Sequence, residues 1–104
     1  MVHQLDDKQR SLLRSHAKVP HHVVYRDFPD ETVVLNLETE RYHGLNPTAG
    51  RMLAALDGPR TIGDAAKQIA DQLSRSPREV EVDICDLCAQ LLERGLIELD
   101  DEPS

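Results

Sequence analysis

Cys85-Asp86-Leu87-Cys88 has the spacing of a metal-binding or disulfide-exchange motif, so it is the first place to look for chemistry. Structural zinc needs four ligands, and the chain holds only 2 cysteines, with no second pair to complete a site. His21 and His22 are neighbours on an expected strand, so their side chains point to opposite faces. A redox CxxC sits at a helix N-terminus, where the helix dipole favours the thiolate. This one falls in the middle of an expected helix and reads as two small buried hydrophobes. Other catalytic sets are missing too. His43 and Thr48 do not make a triad, Glu38 and Glu40 share a polar turn, and there is no glycine-rich phosphate loop and no HExxH. The expectation is therefore no catalytic residues, no metal and no cofactor.

The elements that carry these residues are legible from punctuation and periodicity. Residues 1–20 read as an arm, either disordered or holding one short helix. Leu5, Leu12, Leu13 and His16 share a helical face there, Asp6 or Asp7 suits the cap, and Pro20 suits the stop. His22 to Phe28, Thr32 to Leu37 and Tyr42 to Leu45 read as a three-stranded antiparallel meander. Asn46-Pro47 opens a helix that stops at Asp57-Gly58-Pro59. Thr61 to Asp64 resembles a capping box opening a second helix, to about Leu73. Ser76-Pro77-Arg78-Glu79 is a fuller capping box for a third helix, to about Arg94, with Gly95 past its end. Leu96 to Leu99 is a short apolar stretch, and residues 100–104 an acidic tail. The expected fold class is α+β: a small meander followed by a three-helix bundle over residues 21–99, similar to a winged helix-turn-helix.

Charge argues against the nucleic-acid partner that such a fold suggests. The net charge is −7, and phosphate binding needs a basic face to release counterions. No apolar run approaches the length of a membrane span, which takes about 20 residues. The N-terminus MVHQLDDKQR lacks the apolar core of a secretory signal. A cytoplasmic protein with reduced thiols is the default expectation.

Two surfaces could bind a partner. The short strand Tyr42, His43, Gly44, Leu45 ends the sheet, and a free edge can pair with another chain. The third helix carries a core stripe of Val80, Ile84, Leu87 and Leu91, which Val82, Cys85, Cys88, Ala89 and Leu92 extend around one side. Its apolar arc is roughly 200°, about twice what one packing contact requires. The opposite side is polar: Asp83, Asp86, Gln90, Glu93 and Arg94. The excess arc could meet the sheet, the N-terminal arm, a second subunit or a ligand. On the ligand reading it forms a peptide groove with the strand edge, framed by Arg78 and Glu81 at the helix start.

An ordered set of features resembles the PqqD family, the RiPP recognition elements, over about Val24 to Leu99. The strand pair Val33-Val34-Leu35-Asn36-Leu37 and Tyr42-His43-Gly44-Leu45 runs directly into Asn46-Pro47-Thr48-Ala49-Gly50. Asp57-Gly58, Thr61 with an alanine-rich helix, Asp83-Ile84, Leu91 and Gly95-Leu96-Ile97 follow in order. Leu53, Ala49 and Cys88 depart from the residues common in the family at those positions. The resemblance implies a non-catalytic chaperone. It would capture the leader segment of a ribosomally made precursor peptide as an added strand and lay its side chains against the third helix. It would then present the core segment to a modifying enzyme such as a radical enzyme or a leader protease, as a monomer or homodimer. The alternatives are a winged-helix transcription regulator and a homodimerising interaction module.

Overall fold

A computed structural model describes residues 5–100. Strands β2 (Val23–Asp27), β3 (Thr32–Asn36) and β4 (Arg41–Leu45) form an antiparallel meander in that spatial order. Helices α2 (Pro47–Leu56), α3 (Ile62–Leu73) and α4 (Pro77–Glu93) follow. Helix α1 (Asp7–Arg14) and strand β1 (His16–Lys18) precede the meander, and strand β5 (Glu98–Asp100) closes the described chain. Among the described residues the fold is α+β with four helices: the three expected after the meander, and the short N-terminal one that the sequence left open against a disordered arm.

The turns are set by identifiable side chains. The Asn36 carboxamide oxygen accepts from the Glu38 and Thr39 backbone N–H groups, which bends the chain from β3 into β4. The Asn46 side chain caps α2 by accepting from the Ala49 N–H, with Pro47 at the first helical position. Thr61 caps α3 through the Asp64 N–H. Ser76 makes no side-chain cap bond, so the box expected there is not formed; proline at the first position starts α4 without it. At the far end Gly95 takes a φ of 70°, and its N–H and that of Leu96 return to the Leu92 and Leu91 carbonyls. This is a Schellman closure, and it buries Leu96 against the helix it ends.

One sheet face packs on the helices. Alternation along β3 sends Thr32, Val34 and Asn36 inward and leaves Val33 and Leu35 half-buried. The core joins Val34 and Leu45 to Leu53 and Leu56 of α2, Ile62 and Ile69 of α3, and Val80, Ile84, Cys88 and Leu91 of α4. The sheet and α2 approach so closely at Gly50 that a Cβ there would lie 2.8 Å from the Thr32 Cβ. Thr32 spends its hydroxyl on the Asp27 carboxylate, 2.6 Å away, so the buried polar group is satisfied.

From Leu5 onward the N-terminal segment is part of this packing. The Asp6 side chain and Gln9 form a reciprocal capping box that starts α1. The helix ends at Arg14, ahead of the stop expected at Pro20, because residues 16–18 pair with β5. Helix α1 lies across α3 and α4, and a Cβ on Gly63 of α3 would sit 3.0 Å from the Leu13 carbonyl oxygen. Leu5 and Ala17 are buried. Most of the acidic tail expected at residues 100–104 lies outside the described residues.

Candidate functional site

Strand β4 is an outer strand of the meander, so one of its edges has no strand partner among the described residues. In an antiparallel ladder alternate backbone groups of such a strand point away from its neighbour and stay available. Tyr42 pairs in register with Leu35 and is 72% exposed on the outer sheet face. His43 pairs with the fully buried Val34, so its side chain turns inward, where it is half-buried. Gly44 keeps the outer face low, and the Glu31 carboxylate lies over it: a Cβ on Gly44 would meet Glu31 Oε1 at 2.7 Å. Leu45 points inward and is buried.

Where β4 runs into α2, a groove of about 650 Å³ opens between this junction and α4. Gly44, Leu45, Asn46, Thr48, Ala49 and Met52 form one wall. Asp83, Asp86, Leu87, Gln90 and Arg94 of α4 form the other, with Arg75 at the helix entrance. Leu45, Ala49, Met52 and Leu87 give the groove an apolar floor, and its rim is charged. Arg75 is tied to Asp83 at 2.9 Å. Asp86 and Arg94 have no side-chain partner among the described residues.

The α4 residues that the sequence singled out lie elsewhere. Cys85, Ala89 and Leu92 line a second, smaller depression of about 380 Å³ with Asp6, Lys8, Gln9 and Leu12; Asp86 stands on the ridge between the two and lines both. That depression lies between α4 and α1. Cys85 is buried there, its Sγ 3.8 Å from the Gln9 carbonyl oxygen. Cys88 is fully buried in the core. Val82 is half-buried, and Arg78 and Glu81 pair with one another at 3.4 Å on the first turns of the helix. The structure thus brings Gly44 and Leu45 into the groove but seats Cys85, Ala89 and Leu92 on the other flank of α4. The apolar arc expected as a groove floor lines the depression beside α1, and the α4 wall of the groove beside β4 is made by Leu87 and its polar neighbours. The excess arc meets the N-terminal helix, one of the four occupants the sequence left open.

Two signals could have found the missed residues. Asp83, Leu87, Gln90 and Arg94 follow one another at spacings of four, three and four, so they share a face of α4. Leu87 lies at the edge of the core stripe nearest to that face, and at 8% it is the most exposed residue of the stripe.

The thiols are chemically quiet. Burial, followed by the charges of Asp86, Glu81 and Asp6, pushes Cys85 up to about 11. Burial foremost, with a smaller contribution from Cys85, pushes Cys88 up to about 12. Both therefore stay protonated at neutral pH, the state in which a cysteine is neither nucleophile nor metal ligand. Among the described residues no group of three or more His, Cys, Asp or Glu side chains is placed to hold a metal ion. Among the same residues no helix is long and apolar enough to cross a membrane.

Comparisons with known proteins point one way. The family model described as coenzyme PQQ synthesis protein D (PqqD) matches residues 31–97. No curated protein matches the chain. Among solved structures, TbiB1 in complex with the TbiA(beta) leader peptide is 28% identical, with a TM-score of 0.70 over 78% of this chain and 94% of that one. A lasso peptide synthetase B1 complexed with its leader peptide is 20% identical and shares the fold, with a TM-score of 0.70 over 80% of this chain and 98% of that one. The PqqD truncation of Methylobacterium extorquens PqqCD, described as a functional stand-alone RiPP recognition element, is 25% identical. Its TM-score is 0.68 over 79% of this chain and 87% of that one. The matched segment spans β3, β4 and helices α2 to α4, the elements that build the groove, and the chain belongs to the PqqD family.

Proposed function

We propose that this protein is a peptide chaperone with no catalytic activity of its own, which binds the leader segment of a ribosomally made precursor peptide. The observation that carries the reading is the unpaired edge of β4 beside an open groove on α4. A leader adds as a fourth strand along Arg41–Leu45, and its backbone bonds to the free groups of that edge. Alternate side chains then turn toward Leu45, Met52 and Leu87, and the others stand on the outer face beside Tyr42. Selectivity comes from the side-chain contacts, because edge pairing alone is indifferent to sequence. The core segment stays outside the groove, where a radical enzyme or a leader protease can act on it. Two relatives of the same fold were solved with leader peptides bound, which supports the reading.

The test is a titration of isotope-labelled protein with the leader of the precursor encoded beside it, followed through the backbone amides. Shifts are expected over residues 41–46 and at Asp83, Asp86, Leu87, Gln90 and Arg94. Shifts confined to α1 and to Cys85, Ala89 and Leu92 would sink the groove assignment. Protein and precursor incubated together without other enzymes should leave the precursor mass unchanged.

A further inference from the structure

The charged rim of the groove is ordered along α4. Asp83 and Asp86 stand near the middle of the helix and Arg94 at its C-terminal end, with Leu87 and Gln90 between. Arg75 already neutralises Asp83. Among the described residues that leaves the Asp86 carboxylate and the Arg94 guanidinium of the rim without an ion pair, on either side of Leu87 and Gln90. The chain as a whole carries −7. An acidic residue on an incoming peptide is therefore repelled nearly everywhere, and Arg94 gives it a local place to go.

The spacing fits an extended peptide. Asp86 and Arg94 are eight helical residues apart, about 12 Å at 1.5 Å per residue. On one face of a strand, residues i and i+4 are about 13 Å apart. Residue i+2 then falls between them, over the apolar floor of Leu45, Met52 and Leu87. We infer that the groove selects peptides bearing a basic residue, an apolar residue and an acidic residue at alternate positions of one strand face. The basic residue lies toward Asp86 and the acidic one toward Arg94. This rests on the strand-addition reading above and adds to it a charge order, which also fixes the direction in which the peptide runs. At a given strand direction, like-charge contacts reject the reversed order at both ends at once, so the discrimination works by repulsion as well as attraction.

The probe is a displayed library of random dodecapeptides, selected on the parent protein and on the Arg94→Glu and Asp86→Lys variants. Both substitutions are on exposed side chains, and an amide spectrum like the parent's confirms that each variant folds. The parent should enrich an apolar residue flanked two positions away by an acidic residue on one side and a basic one on the other, in a single order. Arg94→Glu should exchange the acidic preference for a basic one and keep the apolar anchor. Asp86→Lys should do the converse at the other end. For the parent's consensus peptide, Arg94→Glu should weaken binding about fivefold, the scale of a solvent-exposed ion pair. Lysine at the peptide's acidic position should restore it. Enrichment of the apolar residue without charge preference, or a preference that survives both substitutions, overturns the charge order and leaves strand addition standing. No enrichment of any alternating pattern overturns both.

Discussion

The two flanks of α4 face opposite demands. One looks onto β4 and is lined by Asp83, Asp86, Leu87, Gln90 and Arg94 around a small apolar floor. The other looks onto α1 and presents Cys85, Ala89 and Leu92. By hydrophobicity the second flank is the better binding surface, and it is already occupied: α1 lies on it and Cys85 is buried there. The first flank looks like an ordinary solvated helix face. Apolar character along a helix reports what the free protein keeps dry. A surface that waits in water for a partner has to be tolerable in water, so it carries polar groups around a narrow apolar anchor.

Paired truncations break the comparison most directly. Leu87→Ala removes a nearly buried side chain from core and groove floor together, and should cost about 2–3 kcal/mol of stability. It should also weaken the leader complex about tenfold or more, read by calorimetric titration. Leu92→Ala, on the α1 flank, should cost about 1 kcal/mol because the side chain is only half-buried. Its leader affinity should stay within about twofold of the parent. Equal effects on affinity would erase the distinction between the flanks.

A charge placed under α1 sharpens it. Cys85→Glu buries a carboxyl against the Gln9 carbonyl oxygen, a contact with no donor to satisfy it, and should cost about 1–3 kcal/mol. The expected response is local: amides of residues 7–14 lose hydrogen-exchange protection while the leader still binds. Loss of leader binding in a protein with α1 intact would place the peptide on the wrong flank.

The smallest expected effect is a pH dependence. Both thiols have folded-state values above the ordinary thiol value of 9.0, so the folded state holds these protons more tightly than the unfolded one. Their contribution is complete below pH 9 and is lost as the pH rises from there toward 11 and 12. By pH 10 the loss from Cys88 alone should be about 1–2 kcal/mol. Urea unfolding at pH 8 and pH 10 measures it, and Cys88→Ala should remove the Cys88 share while that of Cys85 remains.

The local elements were legible because local chemistry dictates them. The three meander strands and helices α2 to α4 lie within about two residues of the stretches read from alternation, Asn46 and Thr61 capping, and the Gly95 stop. The edge strand was legible too, since the short strand before Asn46-Pro47 ends the meander and helices follow it. The β1–β5 ribbon was not. His16-Ala17-Lys18 has no alternating apolar pattern, and its partner lies at the other end of the described chain. The α4 half of the groove was missed because the wheel was read for hydrophobic surplus, and that surplus belonged to α1. Leu87, shared between core and groove, could only be seen once the strand and helix were placed side by side.

The same ribbon sets an order of events. Three residues on each side hold together segments separated by almost the whole described chain, so the ribbon forms only after the longest loop has closed. With so few bonds it is expected to be the first ladder to open, releasing α1, which is joined directly to β1. Alkylation of Cys85 under native conditions is then a clock for that opening: its rate counts how often the N-terminal helix lifts while the half that holds the β4 groove stays folded.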